Sequence, residues 1–283
     1  MAELAEKHRR SRTVNVELNY CGAMDVKPQL YLKSKRHEDK ESDLERSLNA
    51  LNIQPRTVSI LDGSSIATKP QLDCEGFSLL HHPSTVTDFK DKEQIKDIYF
   101  PEVSLLLKKI LGADLVEFPY STGAYRSSRP AEGEVGGALM PHIDFSTTGA
   151  VETISRLIPN RLEGVRRWGI YQIWRALSPK APVDMPLAFL DGQSVDLADY
   201  IPVDTNSDHV GKYETLVLRY NPGHRWIYFS EMTRDDVVVF KTYDSDAAKN
   251  VPIGHTAFTD PSAPADAARR TSHELRAFVG WYD

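Results

Sequence analysis

His142 and Asp144 stand one residue apart in the stretch GGALMPHIDFS, 136–146. In an extended chain residues i and i+2 point to the same side, so an imidazole and a carboxylate converge there while Ile143 faces away. A third ligand from a distant strand would complete the two-histidine, one-carboxylate face of an octahedral iron, leaving three positions for a cosubstrate and dioxygen. The plainer alternative is a strand-end His and Asp, each bonded to nearby backbone.

Two other features bear on that choice. In ARRTSHELRAFVGWYD, 268–283, Arg270 and Ser272 share strand parity and Arg276 follows on the same side. An arginine fork beside a hydroxyl can grip a carboxylate; the alternative is a surface arginine cluster, although the apolar run that follows is core-like and its arginines need partners. The second feature is the placing of the nine histidines. His8, His37 and His209 lie in polar segments, His81 and His82 at a strand end, and His273 has the wrong parity to join Arg270 and Ser272. His224, in YNPGHRWIYF, and His255, in VPIGHTAF, remain, and the residues alone leave both open as the third ligand.

The elements that must position these side chains are mostly strands. VNVELNY (14–20) alternates apolar and polar residues, and PQLYLKS (28–34) reads as its hairpin partner. HEDKESDLERS is a solvated charge run, and VSILDGSS and FSLLHHPS read as short buried strands ending in turns. DKEQIKDIYFPEVSLLLKKILG predicts a helix, with Ile95, Ile98, Tyr99, Val103, Leu106, Leu107, Ile110 and Leu111 on one stripe and Gly112 as its stop. Pro101 breaks that helix or starts its second piece. From Leu115 the texture changes to short runs rich in β-branched and aromatic residues: LVEFPYS, GALMPHIDFS, RWGIYQIWRAL, PLAFLDG, ETLVLRY, RWIYFSE, DDVVVFKTY and LRAFVGWY, with AVETISRLIP as a helical interruption. Strands at this spacing predict a sandwich, jelly roll or barrel. The expected organisation is one mainly β domain over 1–283, with an α/β N-terminal surround (1–112) and a β core with flanking helices (113–283).

Composition narrows the function. A chain of 283 residues, 41% apolar and 26% charged, can bury a sizeable core. The net charge is -6 and the largest basic block is HRRSR, 8–12, which argues against a nucleic-acid partner. Cys21 and Cys74 are the only cysteines. That count excludes zinc-finger chemistry, makes no disulfide scaffold, and leads us to expect a reducing, cytoplasmic setting. The N-terminus lacks the apolar core of a signal peptide and no run of 18 apolar residues occurs, so no membrane span is expected.

The chain as a whole resembles the fungal and bacterial family of non-heme iron, 2-oxoglutarate-dependent oxygenases that includes the cephamycin 7-alpha-methoxylation component, the fungal gibberellin desaturase and aziridine-forming enzymes. The resemblance is carried, in order, by VELNY, KPQLYL, LDCEGFSLLHHPSTVTDF, PHIDFS, IWRALS, DMPLAFLDGQSV, YNPGHRWIYFSEMTRDDVVVFKTYDS, HTAFTDP and RRTSHELRAFV. TSHELR departs from the more acidic ESIEVR-like string expected there, but Ser272 and both flanking arginines are kept.

The resemblance implies a double-stranded β-helix, or jelly roll, binding Fe(II) and 2-oxoglutarate and consuming O2. It places the distal histidine at the start of the penultimate core strand and the cosubstrate's arginine on the last. His255 is thereby implied as the iron's third ligand with His142 and Asp144, with His224 as runner-up. Arg270 and Ser272 are implied to fix the distal carboxylate, with Arg276 or Arg175 as alternative anchors. Arg175 has opposite strand parity to Trp174, so it faces either the cavity, where it could bind a carboxylate, or the outside, where it makes a salt bridge. Tyr125, Arg126, His224 and Trp226 are expected on the substrate side, with Tyr243, Asp244 and Ser245 as weaker pocket candidates; against this, aromatic residues more often fill a barrel core than bind ligand.

The implied reaction oxidises an aliphatic C–H of a small secondary metabolite by hydroxylation, desaturation or ring closure, with succinate and CO2 as coproducts. Two readings compete. One is a non-catalytic jelly-roll subunit supporting a companion enzyme in a homo- or heterodimer, since family members can work in pairs; intact ligands argue against it. The other is a cupin-like metal-dependent hydrolase, which gives Arg270 and Ser272 no role.

Overall fold

The computed structural model describes residues 12–32, 49–120, 123–131, 136–161, 163–207 and 211–282. His8, His37, His209 and the charge run at 37–47 lie outside these residues.

Strands β1 (Thr13–Cys21), β2 (Gln29–Leu32), β3 (Ile53–Asp62) and β4 (Phe77–His81) precede the helical segment. That segment begins at Lys92–Gln94, passes through a π turn at Ile95–Tyr99 and continues as α1 (Phe100–Leu111), with Pro101 in its first turn and Gly112 ending it at φ 62°. Proline is tolerated at that point because its missing N–H would have no helical partner there. Then come β5 (Leu115–Glu117), β6 (Ala124–Ser127), the two-residue β7 (His142–Ile143) and helix α2 (Thr147–Leu157). The remainder is strand: β8 (Arg167–Ala176), β9 (Leu187–Leu190), β10 (Tyr200–Ser207), β11 (Gly211–Leu218), β12 (Trp226–Tyr228), β13 (Asp236–Asp244), β14 (His255–Ala257) and β15 (Thr271–Trp281).

They form two sheets. A nine-stranded sheet runs β1-β3-β12-β9-β14-β7-β11-β10-β2, and a six-stranded sheet runs β4-β13-β8-β15-β5, with β6 also on β15. This is the expected jelly roll. Period-two alternation sends Phe189 and Ile227 between the sheets, against Trp174, Val238 and Phe240, and sends Leu190, Trp226 and Tyr228 to the opposite face. There β1 covers them with Val14, Val16, Leu18 and Tyr20. The outer face of the six-stranded sheet buries Tyr171, Ile173, Val239 and Leu275 under Tyr99, Val103 and Leu107 of the helical segment.

The N-terminal region supplies strands to both sheets, and the hairpin expected between VNVELNY and PQLYLKS does not form. β1 pairs antiparallel with β3 (Val16↔Val58), while β2 adds in parallel to β10 (Leu30↔Thr205). Core burial outweighs nearness in sequence: Leu30 fills a cluster with Ile201, Val203 and Val217, whereas the apolar face of β1 belongs over Trp226. GALMPHIDFS shrinks to a two-residue strand, since Pro141 has no N–H to donate to a ladder.

Candidate active site

β7 lies between β14 and β11, and His142 is directly opposite His255 across the β14–β7 pair, their ring centroids 4.3 Å apart. Asp144 follows β7 on the same side, and its Oδ1 is 3.5 Å from His142 Nε2. One ligand atom from each of His142, Asp144 and His255 falls within 4.8 Å of the other two. Ligands about 2.1 Å from a first-row metal sit about 3 Å apart around it, so little adjustment would close this set on an ion.

Each imidazole is oriented by the same local device. His142 Nδ1 donates to Met140 O (2.9 Å) and His255 Nδ1 to Ile253 O (3.3 Å). A carbonyl can only accept, so both protons are fixed on Nδ1 and both Nε2 lone pairs face the ligand cluster. Burial, reinforced by the neighbouring His142, pushes His255 down to about 4, which keeps its ring neutral and able to ligate.

Asp144 receives its support from the opposite sheet. Gln172 on β8 and Arg276 on β15 are cross-strand partners. Gln172 Nε2 (2.6 Å), Arg276 Nε (2.9 Å) and Arg276 Nη2 (2.7 Å) all donate to Oδ2, which leaves Oδ1 toward the histidines. Burial raises the carboxyl, but the Arg276 guanidinium outweighs it and holds Asp144 well below the usual carboxylate range. Gln172 Nε2 is also 3.0 Å from the Thr242 hydroxyl, at a register shift in the β13–β8 pairing, and such a bulge re-aims a side chain.

Arg270 and Ser272 are brought together as their parity implied. Arg270 Nη1 donates to Ser272 Oγ (2.8 Å) and Nε to Met185 O (3.1 Å), and both residues are buried. Arg270 Nη2 is buried with no hydrogen-bond partner among the described residues. A desolvated guanidinium nitrogen without an acceptor is costly, and a ligand carboxylate would satisfy it. A Cβ on Gly137 would lie 2.3 Å from Nη2 and 3.0 Å from the Ala257 side chain. The guanidinium therefore sits beside Ala257, one strand repeat, about 7 Å, from His255, the reach of a five-carbon dicarboxylate. A small cleft opens next to Arg270, lined on its apolar side by Trp174, Leu187, Phe229 and Met232. The donor set and the orphaned nitrogen together fit iron and 2-oxoglutarate. Gly137→Ala should displace Arg270 and raise the KM for 2-oxoglutarate about tenfold, on the order of one hydrogen bond to a charged group, without lowering bound iron; an unchanged KM would show that the guanidinium relocates freely.

Several expected residues are elsewhere. Arg276 is at the site but serves Asp144, so it is not free to be a cosubstrate anchor. Arg175 shares its side of β8 with Tyr171 and Ile173 and points under the helix, where Nε donates to Tyr99 Oη (3.2 Å), Nη1 to Arg234 O (2.8 Å) and Nη2 to His82 Nδ1 (2.9 Å). Tyr125 faces that same layer, 4.5 Å from the Lys90 ammonium. His224 has both ring nitrogens engaged, Nδ1 with Tyr20 Oη (3.0 Å) and Nε2 with Asp199 Oδ2 (3.1 Å), and Trp226 Nε1 donates to Tyr20 Oη (2.7 Å). Both pack on the far face of the nine-stranded sheet, away from the iron ligands. Tyr243 packs on Trp168, Asp244 is forked by Arg167, and Ser245 Oγ accepts from Trp168 N; these are structural contacts. Arg126 alone of the substrate-side group faces the site, donating to Glu274 Oε2 at 2.9 Å.

Gln172 and Glu274 were missed. Both carried a signal: Gln172 interrupts an apolar strand, and Glu274 shares parity with Ser272 and Arg276. Tyr120 was missed as well. Its Oη is buried without a partner among the described residues and lies in the field of Arg276 and Asp144, burial pushing it up to about 12.

A jelly roll carrying a largely buried His-x-Asp…His cluster with an arginine one strand repeat away is the architecture of an iron-dependent oxygenase. A family model described as an oxidoreductase/YMDC permease-like domain matches residues 18–280. The chain is 27% identical to the alpha-ketoglutarate-dependent dioxygenase phiK of a fungal species, over 84% of this chain and 88% of that protein. It is 30% identical to the hydroxylase/desaturase efuI of Hormonema carpetanum, over 82% and 85%. A solved structure of the iron and alpha-ketoglutarate-dependent endoperoxidase NvfI matches its fold with a TM-score of 0.74 at 24% identity, covering 97% of this chain and 100% of that one. The chain belongs to this family of Fe(II)/2-oxoglutarate-dependent dioxygenases. Among the described residues no helix is long and apolar enough to cross a membrane.

Proposed function

We propose that His142, Asp144 and His255 hold the iron, that Arg270 with Ser272 anchors the distal carboxylate of 2-oxoglutarate, and that the enzyme oxidises an aliphatic C–H of a small secondary metabolite. The observation that carries this reading is the buried ligand cluster with Arg270 Nη2 orphaned beside it. When bound, the iron and its cosubstrate supply the oxidising power, dioxygen being consumed as 2-oxoglutarate becomes succinate and CO2. The protein's own part is orientation and exclusion of water. Gln172 and Arg276 keep Asp144 on one oxygen, the two carbonyls aim the imidazoles, and the apolar walls from Phe145, Phe189 and Phe240 keep the site dry. No side chain is required as a general base.

The relatives named hydroxylase/desaturase favour hydroxylation or desaturation as the outcome. The chain would act as a single domain over 1–283 in the cytoplasm, alone or as a homo- or heterodimer, on a small molecule with neither nucleic acid nor membrane as partner. The companion-subunit reading draws no support from relatives that are themselves named as enzymes. The test is anaerobic titration of purified protein with Fe(II) and 2-oxoglutarate, which should develop a weak visible charge-transfer band. A folded, iron-loaded protein without that band would remove the oxygenase reading.

A further inference from the structure

Arg270, Ser272, Glu274 and Arg276 form one row on the inner face of β15, running from the carboxylate grip to the support of Asp144. Glu274 is the member with no role so far. Its Oε1 is 3.2 Å from Arg276 Nη2 and its Oε2 accepts from Arg126 Nε at 2.9 Å. Arg126, on the neighbouring β6, also donates to Gly136 O at 3.3 Å, next to the glycine that abuts Arg270. Four charges thus alternate in sign through the interior: Asp144, Arg276, Glu274, Arg126. Charges removed from water in this way are stable only when each keeps its partners.

We propose that Glu274 and Arg126 are positioning residues for the metal, acting through Arg276 on Asp144. This rests on the iron site proposed above. Arg276 Nη2 is shared between two carboxylates, 2.7 Å from Asp144 Oδ2 and 3.2 Å from Glu274 Oε1. With Glu274 drawing on it, the guanidinium holds Oδ2 without claiming the whole carboxylate, and Oδ1 stays available to an ion. Without Glu274 the full charge of Arg276 falls on Asp144 and competes with the metal for it. Arg126 supplies the counter-charge that keeps Glu274 ionised and aimed. The competing explanation is that the chain of ion pairs only stabilises the fold.

The two are separated by measuring Mn(II) affinity of the apo protein by calorimetry, a redox-inert probe that needs no turnover. Glu274→Gln should weaken Mn(II) binding by about 10-fold or more, the usual scale for groups that orient a metal ligand, and Glu274→Asp should recover most of the loss. Arg126→Gln, at a partly exposed position, should weaken binding in the same direction by about threefold, and it carries the test if Glu274→Gln does not fold. Unchanged Mn(II) affinity in folded Glu274→Gln, or in Arg126→Gln, would overturn the proposal in favour of a purely structural network. Tighter binding in Arg126→Gln would overturn it in favour of a simple field effect. Failure of the wild-type chain itself to bind Mn(II) would instead strike at the iron site.

Discussion

His255→Ala is expected to abolish stoichiometric iron binding, while His224→Ala leaves it in place. The reason is geometric: His255 Nε2 faces His142 and Asp144, whereas both nitrogens of His224 are spent on Tyr20 and Asp199 across the sheet. A metal face of three side chains that loses one should bind more than about 100-fold more weakly, beyond the range for a supporting residue. His224→Ala should show its effect in stability, because the buried Tyr20 hydroxyl loses its acceptor at about 1–3 kcal/mol. Iron per chain after anaerobic loading, together with the denaturation midpoint, reads both effects. Iron loss in the His224 variant, or full occupancy in the His255 variant, would reverse the assignment.

Arg270→Ala should raise the 2-oxoglutarate requirement by roughly two to three orders of magnitude with iron still bound. Removing one partner from a buried charge pair costs about 2–5 kcal/mol, and here the ligand carboxylate would be left facing only Ser272. Burial, followed by the nearby Arg126, already pulls the Arg270 guanidinium down to about 10, the mark of a cation short of counter-charge until a carboxylate arrives. The KM for 2-oxoglutarate, set against retained metal, is the discriminating pair of measurements. Arg175→Ala, by contrast, should lower stability and leave that KM alone, since its three hydrogen bonds go to Tyr99, Arg234 and His82. A large KM change there, with none in Arg270→Ala, would move the anchor to β8.

Strand parity proved readable wherever a strand was long and one-sided. It placed His142 with Asp144, Arg270 with Ser272 and Arg276, and it set His273 on the opposite face, against Phe89 and Tyr99. Parity says which residues share a face, however, not which face looks inward. Trp174 lines the interior and Arg175 the helical layer because Tyr99 and His82 offer the guanidinium acceptors that sit far along the chain. The same limit misplaced His224 and Trp226, for the nine-stranded sheet has a second buried face, created when β1 folds over it. A sequence that alternates cleanly does not announce that both sides of its sheet are covered. β14, only three residues long, was placed by the family resemblance and not by its own pattern, and β10, which contains an exposed proline, was not read as a strand.

Asp144 joins the two sheets as well as facing the metal, and this gives it two histories under selection. A lineage that stopped needing the reaction could not discard this aspartate cheaply. Arg276 and Gln172 would be stranded in the interior, and breaking a buried pair in this way costs about 3–5 kcal/mol, a large part of a domain's stability. Purifying selection for a folded chain would therefore keep Asp144 long after catalysis had gone. His255, whose one polar contact among those described is to the Ile253 carbonyl, has no such second duty. In a pseudoenzyme descended from this fold the two histidines should drift before Asp144, and their presence here is the more informative sign of a working oxygenase.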